Sequence, residues 1–359
     1  MKKSISIHTS DRILFKRCRR KWDFISSLRQ NLEPKDSFSS AAWFGTGIHF
    51  ALEDYHGYNK FGHPAIAFEN YYQCFDRQNE LNMDCETLAT LAPGMMTYYT
   101  DEWLPKRKKF QTYVVDGKPQ VEVLVTLELK ELSKKFKRPV YYSMRFDRIV
   151  QDEYGRLWIM DYKTVTKFDT GKLETDPQIS AYSWGAEIYY NKPIEGMIYL
   201  QFKKALADEP RELKNGEISV DKSQSTTYYK YREMLKFKYG SLANISEKHQ
   251  ECLDYLLSYE SDLGDNFIRY DMVRRNDYER KKEYDIIVAE TLDMMNKKLS
   301  LYPNPTADCY WDCQFRPVCL SQNDGSDYMH ILNNNYTKRK GEDEKWRNKI
   351  HYPQTSQQK

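Results

Sequence analysis

Four cysteines divide between the two ends of the chain. Cys18 stands alone near the N-terminus, while Cys309, Cys313 and Cys319 crowd into the segment DCYWDCQFRPVC. Thiols gathered at short spacing select soft metals, so Cys309-x3-Cys313-x5-Cys319 points to an iron-sulfur cluster or Zn²⁺, with Cys18 as the natural fourth ligand. Such a site ties both ends to one place and turns the intervening chain into a closed loop, whose entropic cost grows only as the logarithm of its length. One elaborated domain over residues 1–324 is therefore expected, and losing the cluster should loosen the fold more than it alters the chemistry directly. Cys74, Cys85 and Cys252 have no partner spacing and read as buried or inert.

The redox setting follows from the rest of the sequence. No run of about 18 apolar residues is present, which argues against a membrane span. The start MKKSISIHTS lacks the apolar stretch of a secretory signal, so the expected compartment is the cytoplasm. There, seven cysteines in 359 residues are reduced, ligating or buried rather than paired as disulfides. A net charge of +3 does not by itself demand nucleic acid. The absence of a G-x-x-x-x-G-K-[ST] loop argues against an autonomous ATP-driven motor.

Hydrophobic periodicity changes along the chain. A first helix is expected after an N-cap at Thr9 or Ser10, with further helices over 41–58, 64–80 and 83–103, the last broken or bent at Pro93-Gly94. The pattern then alternates with period two at QVEVLVTLEL (120–129), VYYSMRFDRIV (140–150) and RLWIMDYKTV (156–165), an antiparallel meander. A helix over 177–190, a strand over 196–204 and a mostly helical stretch over 224–299 with a strand at FIRYDMVRR complete an α/β reading.

Chemistry concentrates in the meander. Side chains two apart on a strand share a face, so Asp161 and Lys163 point one way and Tyr162 the other. A turn centred near Tyr154 sets Asp147 opposite Asp161. Directly opposed carboxylates repel, and a hard divalent cation, Mg²⁺ or Mn²⁺, removes that cost. Such a cation polarises a phosphoryl oxygen and activates water, and a neighbouring ammonium stabilises the developing charge. The plain alternative for an isolated Asp-x-Lys is a cross-strand salt bridge on an exposed sheet face.

Two flanking motifs bear on that choice. In Trp43-Phe44-Gly45-Thr46-Gly47-Ile48-His49 the glycines allow close packing and place an imidazole where it could ligate Mn²⁺. In Asp176-Pro177-Gln178-Ile179-Ser180-Ala181-Tyr182, Gln178 and Tyr182 share a helix face. The ordered set Gly-x-Gly-x-His, Asp, Asp-x-Lys, Gln-x-x-x-Tyr resembles the RecB-like branch of the PD-(D/E)XK nuclease superfamily, over roughly residues 5 to 322.

That resemblance implies a restriction-endonuclease-like core, a mixed central sheet flanked by helices, with a helical insertion and a cysteine-ligated cluster joining the N- and C-terminal segments. By it, residues 5–60 carry Cys18 and His49, 120–204 form the catalytic core, 205–299 a mainly helical elaboration, 300–322 the cluster loop and 325–359 a flexible basic tail. His49, Asp147, Asp161 and the Tyr162 carbonyl would ligate Mg²⁺ or Mn²⁺, Lys163 would be the catalytic lysine, and Gln178 and Tyr182 would position DNA or the active-site groups. Glu122 ranks lower, since a strand glutamate is usually solvated. The cysteine pattern resembles the [4Fe-4S] nuclease domains of the AddB type and of CRISPR-associated RecB-like exonucleases, whose usual C-terminal spacing is C-x2-C-x5-C. The extra residue here leaves Zn²⁺ open.

The implied activity is hydrolysis of DNA, preferentially single-stranded, as an exonuclease in recombination, repair or phage DNA metabolism, with recombination or CRISPR-adaptation proteins as partners and no membrane. The rivals are a non-catalytic, end-docking DNA-binding subunit and a zinc-stabilised interaction protein with a fortuitous Asp-x-Lys. For the strand's path the sequence offers a basic run around Cys18 (Arg12, Lys16, Arg17, Arg19, Arg20, Lys21), a second at Lys106, Arg107, Lys108 and Lys109, and the aromatic-basic run Tyr228-Tyr229-Lys230-Tyr231-Arg232.

Overall fold

The computed structural model describes residues 4–353 apart from 36–37, 77–80, 108, 169, 172 and 340–344. Its strands are β1 (Ile5–His8), β2 (Leu32–Pro34), β3 (Gln111–Thr112), β4 (Val114–Val115), β5 (Lys118–Pro119), β6 (Val121–Glu128), β7 (Val140–Gln151), β8 (Leu157–Val165), β9 (Ile194–Lys203), β10 (Ile268–Val273) and β11 (Tyr336–Lys338). Its α-helices are α1 (Thr9–Arg17), α2 (Arg19–Ile25), α3 (Ser40–His56), α4 (Pro64–Gln73), α5 (Met83–Thr97), α6 (Lys130–Phe136), α7 (Pro177–Tyr190), α8 (Tyr228–Tyr239), α9 (Glu247–Leu257), α10 (Asp277–Met295), α11 (Asp308–Trp311), α12 (Arg316–Asp324) and α13 (Tyr328–Asn335).

Among the described residues the main sheet runs β1-β7-β8-β9-β10, with β3 and β6 also pairing β7. The β1–β7 and β8–β9 pairs are parallel and the others antiparallel. This is an α/β fold with a mixed sheet, as expected. Central β8 is buried over Leu157–Tyr162, which requires cover on both faces. Trp158, Met160 and Tyr162 pack with residues of α3, α4 and α5, while Leu157 and Ile159 pack with residues of α7 and α10. Period-two alternation therefore puts Asp161 and Lys163 on the α7 side.

The sheet opens at one point. β6 pairs along one edge of β7 on either side of Glu122, but the opposite edge is shared: β1 takes residues 140–143 and β8 takes 148–151. Between them, over 144–147, that edge has no strand partner among the described residues, and a cleft enters the sheet there.

Several local expectations are revised. The first helix is two, because Cys18 is extended (φ −163°, ψ 112°), ending α1 and capping α2 through its sulfur. His8, rather than Thr9 or Ser10, is the N-cap of α1. Pro93 stays inside α5 without ending it, and the chain continues as a π-helical turn over Tyr98–Trp103. The helix over 64–80 ends at Gln73, and residues 77–80 lie outside the described residues. The expected flexible tail is partly folded. Tyr336 stacks on Phe315, which stacks on Phe24, at ring separations of 4.7 and 4.9 Å, and β11 pairs with β2. Residues 345–352 return to α3, where Trp346 and Ile350 join the core of that side. Apolar residues interspersed in a polar sequence supply this anchorage. Residues 340–344 and 354–359 of that tail lie outside the described residues.

Candidate active site

The cleft has a volume of about 810 Å³, and its walls include His49, Glu122, Arg145, Asp147 and Tyr182. α3 delivers His49 because Gly47 lets the helix lie against α4. A Cβ at Gly47 would sit 2.6 Å from the rings of Phe68 and Tyr71. The hairpin register is the expected one, Arg148 opposite Met160 and Gln151 opposite Leu157, but regular pairing stops one residue short of Asp147. Asp147 replaces the missing ladder bond with its side chain, Oδ2 accepting from Tyr162 N at 2.7 Å.

His49 completes the exchange. Its Nε2 donates to the Tyr162 carbonyl at 2.9 Å, and its Nδ1 lies 3.5 Å from Asp147 Oδ2 and 3.9 Å from Glu122 Oε1. Burial opposes charging this imidazole, but Asp147 and Glu122 together outweigh it and raise its pKa to about 10. Against burial, His49, then Lys163 and the Tyr162 N–H hold Asp147 below its ordinary value. Asp161 goes the other way, pushed up to about 6 by burial and by Asp147 despite Lys163. Two neighbouring carboxylates thus have pKa values driven apart.

Asp161 Oδ2 is buried and lies 2.6 Å from the Lys163 ammonium in an ion pair. Its Oδ1 accepts from Gln178 Nε2 at 3.2 Å. Asp176 caps α7 by accepting from Gln178 N at 2.8 Å, and its other oxygen accepts from the Tyr199 hydroxyl at 2.9 Å. The Tyr199 ring lies 5.7 Å from Lys163 Nζ. Tyr182, one turn beyond Gln178, packs edge-on against Phe146 and reaches the cleft.

The geometry departs from the expected ligand set in one respect. Among the described residues, the group whose ligand atoms lie within 4.8 Å of one another is His49, Glu122 and Asp147, without Asp161. Glu122, which ranks lower on sequence, has an environment that depends on register. It lies across from Asp147, where the β6–β7 pairing is interrupted, in a left-handed conformation of φ 47°. A non-glycine residue held there inside a strand carries strain of the kind found at functional sites. Two carboxylates and an imidazole converging with a backbone carbonyl fit a divalent cation of the Mg²⁺ or Mn²⁺ type.

The basic runs are mostly committed elsewhere. Arg12 is buried between Glu283 and Glu290, Arg17 pairs with Asp308 and Asp312, and Arg19 lies over Phe15 and Tyr302. Arg107 is buried against Glu260 and Asp265, and Lys108 lies outside the described residues. Tyr231 is fully buried and bonded to His249 within a small core of α8 and α9, and Lys230 pairs with Glu102 and Glu209. These residues hold elements together, because a cation beside a carboxylate in a poorly solvated site stays there.

At the other end of α1, the chain brings Cys18 to the C-terminal loop. Cys18 Sγ accepts from Lys21 N and Asn304 N, each at 3.5 Å, Cys309 Sγ from Thr306 N at 3.4 Å, and Cys319 Sγ from Arg20 Nη1 at 3.3 Å. No three cysteine sulfurs among the described residues lie within 4.8 Å of one another, so a preformed cysteine-ligated site is not evident from distance. Cys74, Cys85 and Cys252 are buried.

No helix of the described chain is long and apolar enough to cross a membrane. No curated protein matches the sequence. Among solved structures, that of a Eubacterium rectale protein designated an exonuclease by inference is similar at 10% identity over 79% of this chain and 75% of that one, with a TM-score of 0.33, a likeness too distant to argue from. The sequence itself matches the PD-(D/E)XK nuclease superfamily over residues 10–320, most of the described chain, and the match takes in His49, Glu122, Asp147, Asp161 and Lys163 and both cysteine segments. The protein is thus a member of the PD-(D/E)XK nuclease superfamily, a family of metal-dependent phosphodiester hydrolases.

Proposed function

We propose that this protein is a DNA exonuclease acting on single-stranded ends, and that its metal site is His49, Glu122, Asp147 and the Tyr162 carbonyl, with Asp161 joining when a cation is present. The observation that carries the reading is the convergence of these groups at the point where the sheet loses its pairing, beside the Asp161–Lys163 pair. A divalent cation there supplies charge that polarises the phosphodiester and acidifies water. The chain's own residues do the rest. Lys163 presents an ammonium, held charged by Asp161 and Asp147, to the developing negative charge. Gln178 fixes the orientation of Asp161, and Asp176 fixes Gln178. Tyr182 offers an aromatic surface at the cleft wall for a base of the strand.

The second part of the reading is a [4Fe-4S] cluster on Cys18, Cys309, Cys313 and Cys319. Backbone and guanidinium N–H groups aimed at sulfur support it, since such donors stabilise thiolate ligands of a cluster. The partners expected are DNA and recombination or CRISPR-adaptation proteins, in a bacterial cytoplasm or a phage-infected cell.

The test uses anaerobically purified protein, wild type beside Lys163→Ala, on single-stranded DNA labelled separately at each end with Mg²⁺ or Mn²⁺. Degradation by wild type alone, from a labelled end, supports the reading. Equal turnover by both removes Lys163 from the chemistry, and tight binding without cleavage by either identifies an end-docking subunit instead.

A further inference from the structure

The C-terminal segment returns to the catalytic cleft. Trp346 packs edge-on against Phe50 and Tyr71 at ring separations of 5.1 and 4.7 Å, Lys349 Nζ donates to the Cys74 carbonyl at 2.9 Å, and Lys60 Nζ lies 4.2 Å above the Tyr352 ring. Trp346 and Arg347 thereby become part of the cleft wall together with His49, Glu122 and Asp147. The Arg347 guanidinium lies 4.9 Å from the Trp346 ring centroid and pairs with Glu53 at 2.8 Å, with 31% of its side chain still exposed.

Position on α3 gives this contact meaning. Glu53 follows His49 by four residues, so the two lie on one face a single helical turn, about 5.4 Å, apart. Arg347 therefore pairs with a carboxylate carried one turn along α3 from His49, on the same cleft. Of the basic runs, Arg12 and Arg107 are occupied by buried ion pairs.

We propose that Arg347 is a phosphate-binding residue of the substrate cleft: it exchanges Glu53 for the backbone phosphate next to the scissile one, and the C-terminal strap exists to hold it there. A planar guanidinium stacked on an indole is preorganised for this, since the fork that meets a carboxylate also meets a phosphate. The proposal rests on the nuclease reading above and adds a substrate contact to it.

The test measures binding of a fluorescent single-stranded oligonucleotide to full-length Lys163→Ala protein by anisotropy across a salt series, with thermal unfolding recorded for each variant. Arg347→Gln in that background should weaken binding several-fold and lower the slope of log affinity against log salt by about 0.7, the share of one phosphate on a single strand. Glu53→Gln should strengthen binding, because it releases the same guanidinium. Unchanged affinity and slope for Arg347→Gln would overturn the proposal, as would weakened binding by both variants with a matching loss of stability, which marks a structural pair. If wild type neither binds nor cleaves, the nuclease reading falls and this contact falls with it.

Discussion

Tyr162 and Asp147 are joined by a hydrogen bond of 2.7 Å from backbone N–H to carboxylate, and the carbonyl of the same tyrosine accepts from His49 at 2.9 Å. In an antiparallel sheet the N–H and C=O of one residue point to the same neighbour. Tyr162 would bond β7 there if pairing continued. The lapse of β7–β8 pairing after Arg148 leaves both groups to side chains, and those side chains are the candidate metal ligands. Opening the sheet and building the site are one structural event.

Glu122→Gln should weaken Mn²⁺ binding by tenfold or more in a calorimetric titration while changing the melting temperature of metal-free protein little. Without a cation, the protonated His49 imidazole lies between Glu122 and Asp147, so neutralising Glu122 removes both its repulsion of Asp147 and its attraction to His49, which largely offset. Undiminished Mn²⁺ affinity would exclude Glu122 from the ligand set.

The two glycines before His49 should respond differently to alanine. Gly47→Ala drives a methyl into Phe68 and Tyr71 and should cost about 1–3 kcal/mol in denaturant unfolding. At Gly45 the nearest contact of an added methyl would be Thr164 Oγ1 at 3.7 Å, so Gly45→Ala should be tolerated.

Acid should destabilise the β7–β8 turn. Asp152 accepts from the backbone N–H groups of Tyr154 and Arg156, from the Arg156 side chain and from the Trp158 indole. Against burial, the Arg156 side chain and its backbone N–H lead these contacts in lowering its pKa from 3.8 to about 2. A depressed carboxyl stabilises the fold fully above its unfolded value and loses that contribution as pH falls through the folded one, here from about 4 to about 2. Asp152→Asn should lose about 2 kcal/mol at pH 7 and show a shallower acid limb in that window. An unaltered limb would mean the contacts do not favour the carboxylate.

Cys18→Ser should lower thermal stability and abolish iron and visible absorbance, yet leave Mn²⁺ affinity at the cleft close to that of wild type. Wild-type protein that is colourless when purified anaerobically, and that contains zinc, would replace the iron-sulfur reading.

Much of this was legible in order along the chain. The meander and its register followed from period-two alternation and one turn, and helices α3 and α7 followed from patterning. His49 meets Asp147 from about a hundred residues away, and Asp161 meets Lys163 and Gln178. Glu122 was less legible, since a strand glutamate looks alike whether it faces solvent or a second carboxylate. The basic runs misled for a related reason: Arg12 and Arg107 look exposed in sequence, but their carboxylate partners lie far along the chain.

The sequence by itself determined the period of each element, the faces on which Asp161 and Lys163 lie, and the chemistry its side chains can perform, because these depend on backbone geometry and residue type over a few neighbours. Only the tertiary structure decided where β7 parts from β8, how Glu122 turns toward Asp147, and that the polar C-terminal segment lies against α3 at the cleft. Those are matters of long-range packing, in which the sum of many weak contacts chooses among partners that local sequence leaves equivalent.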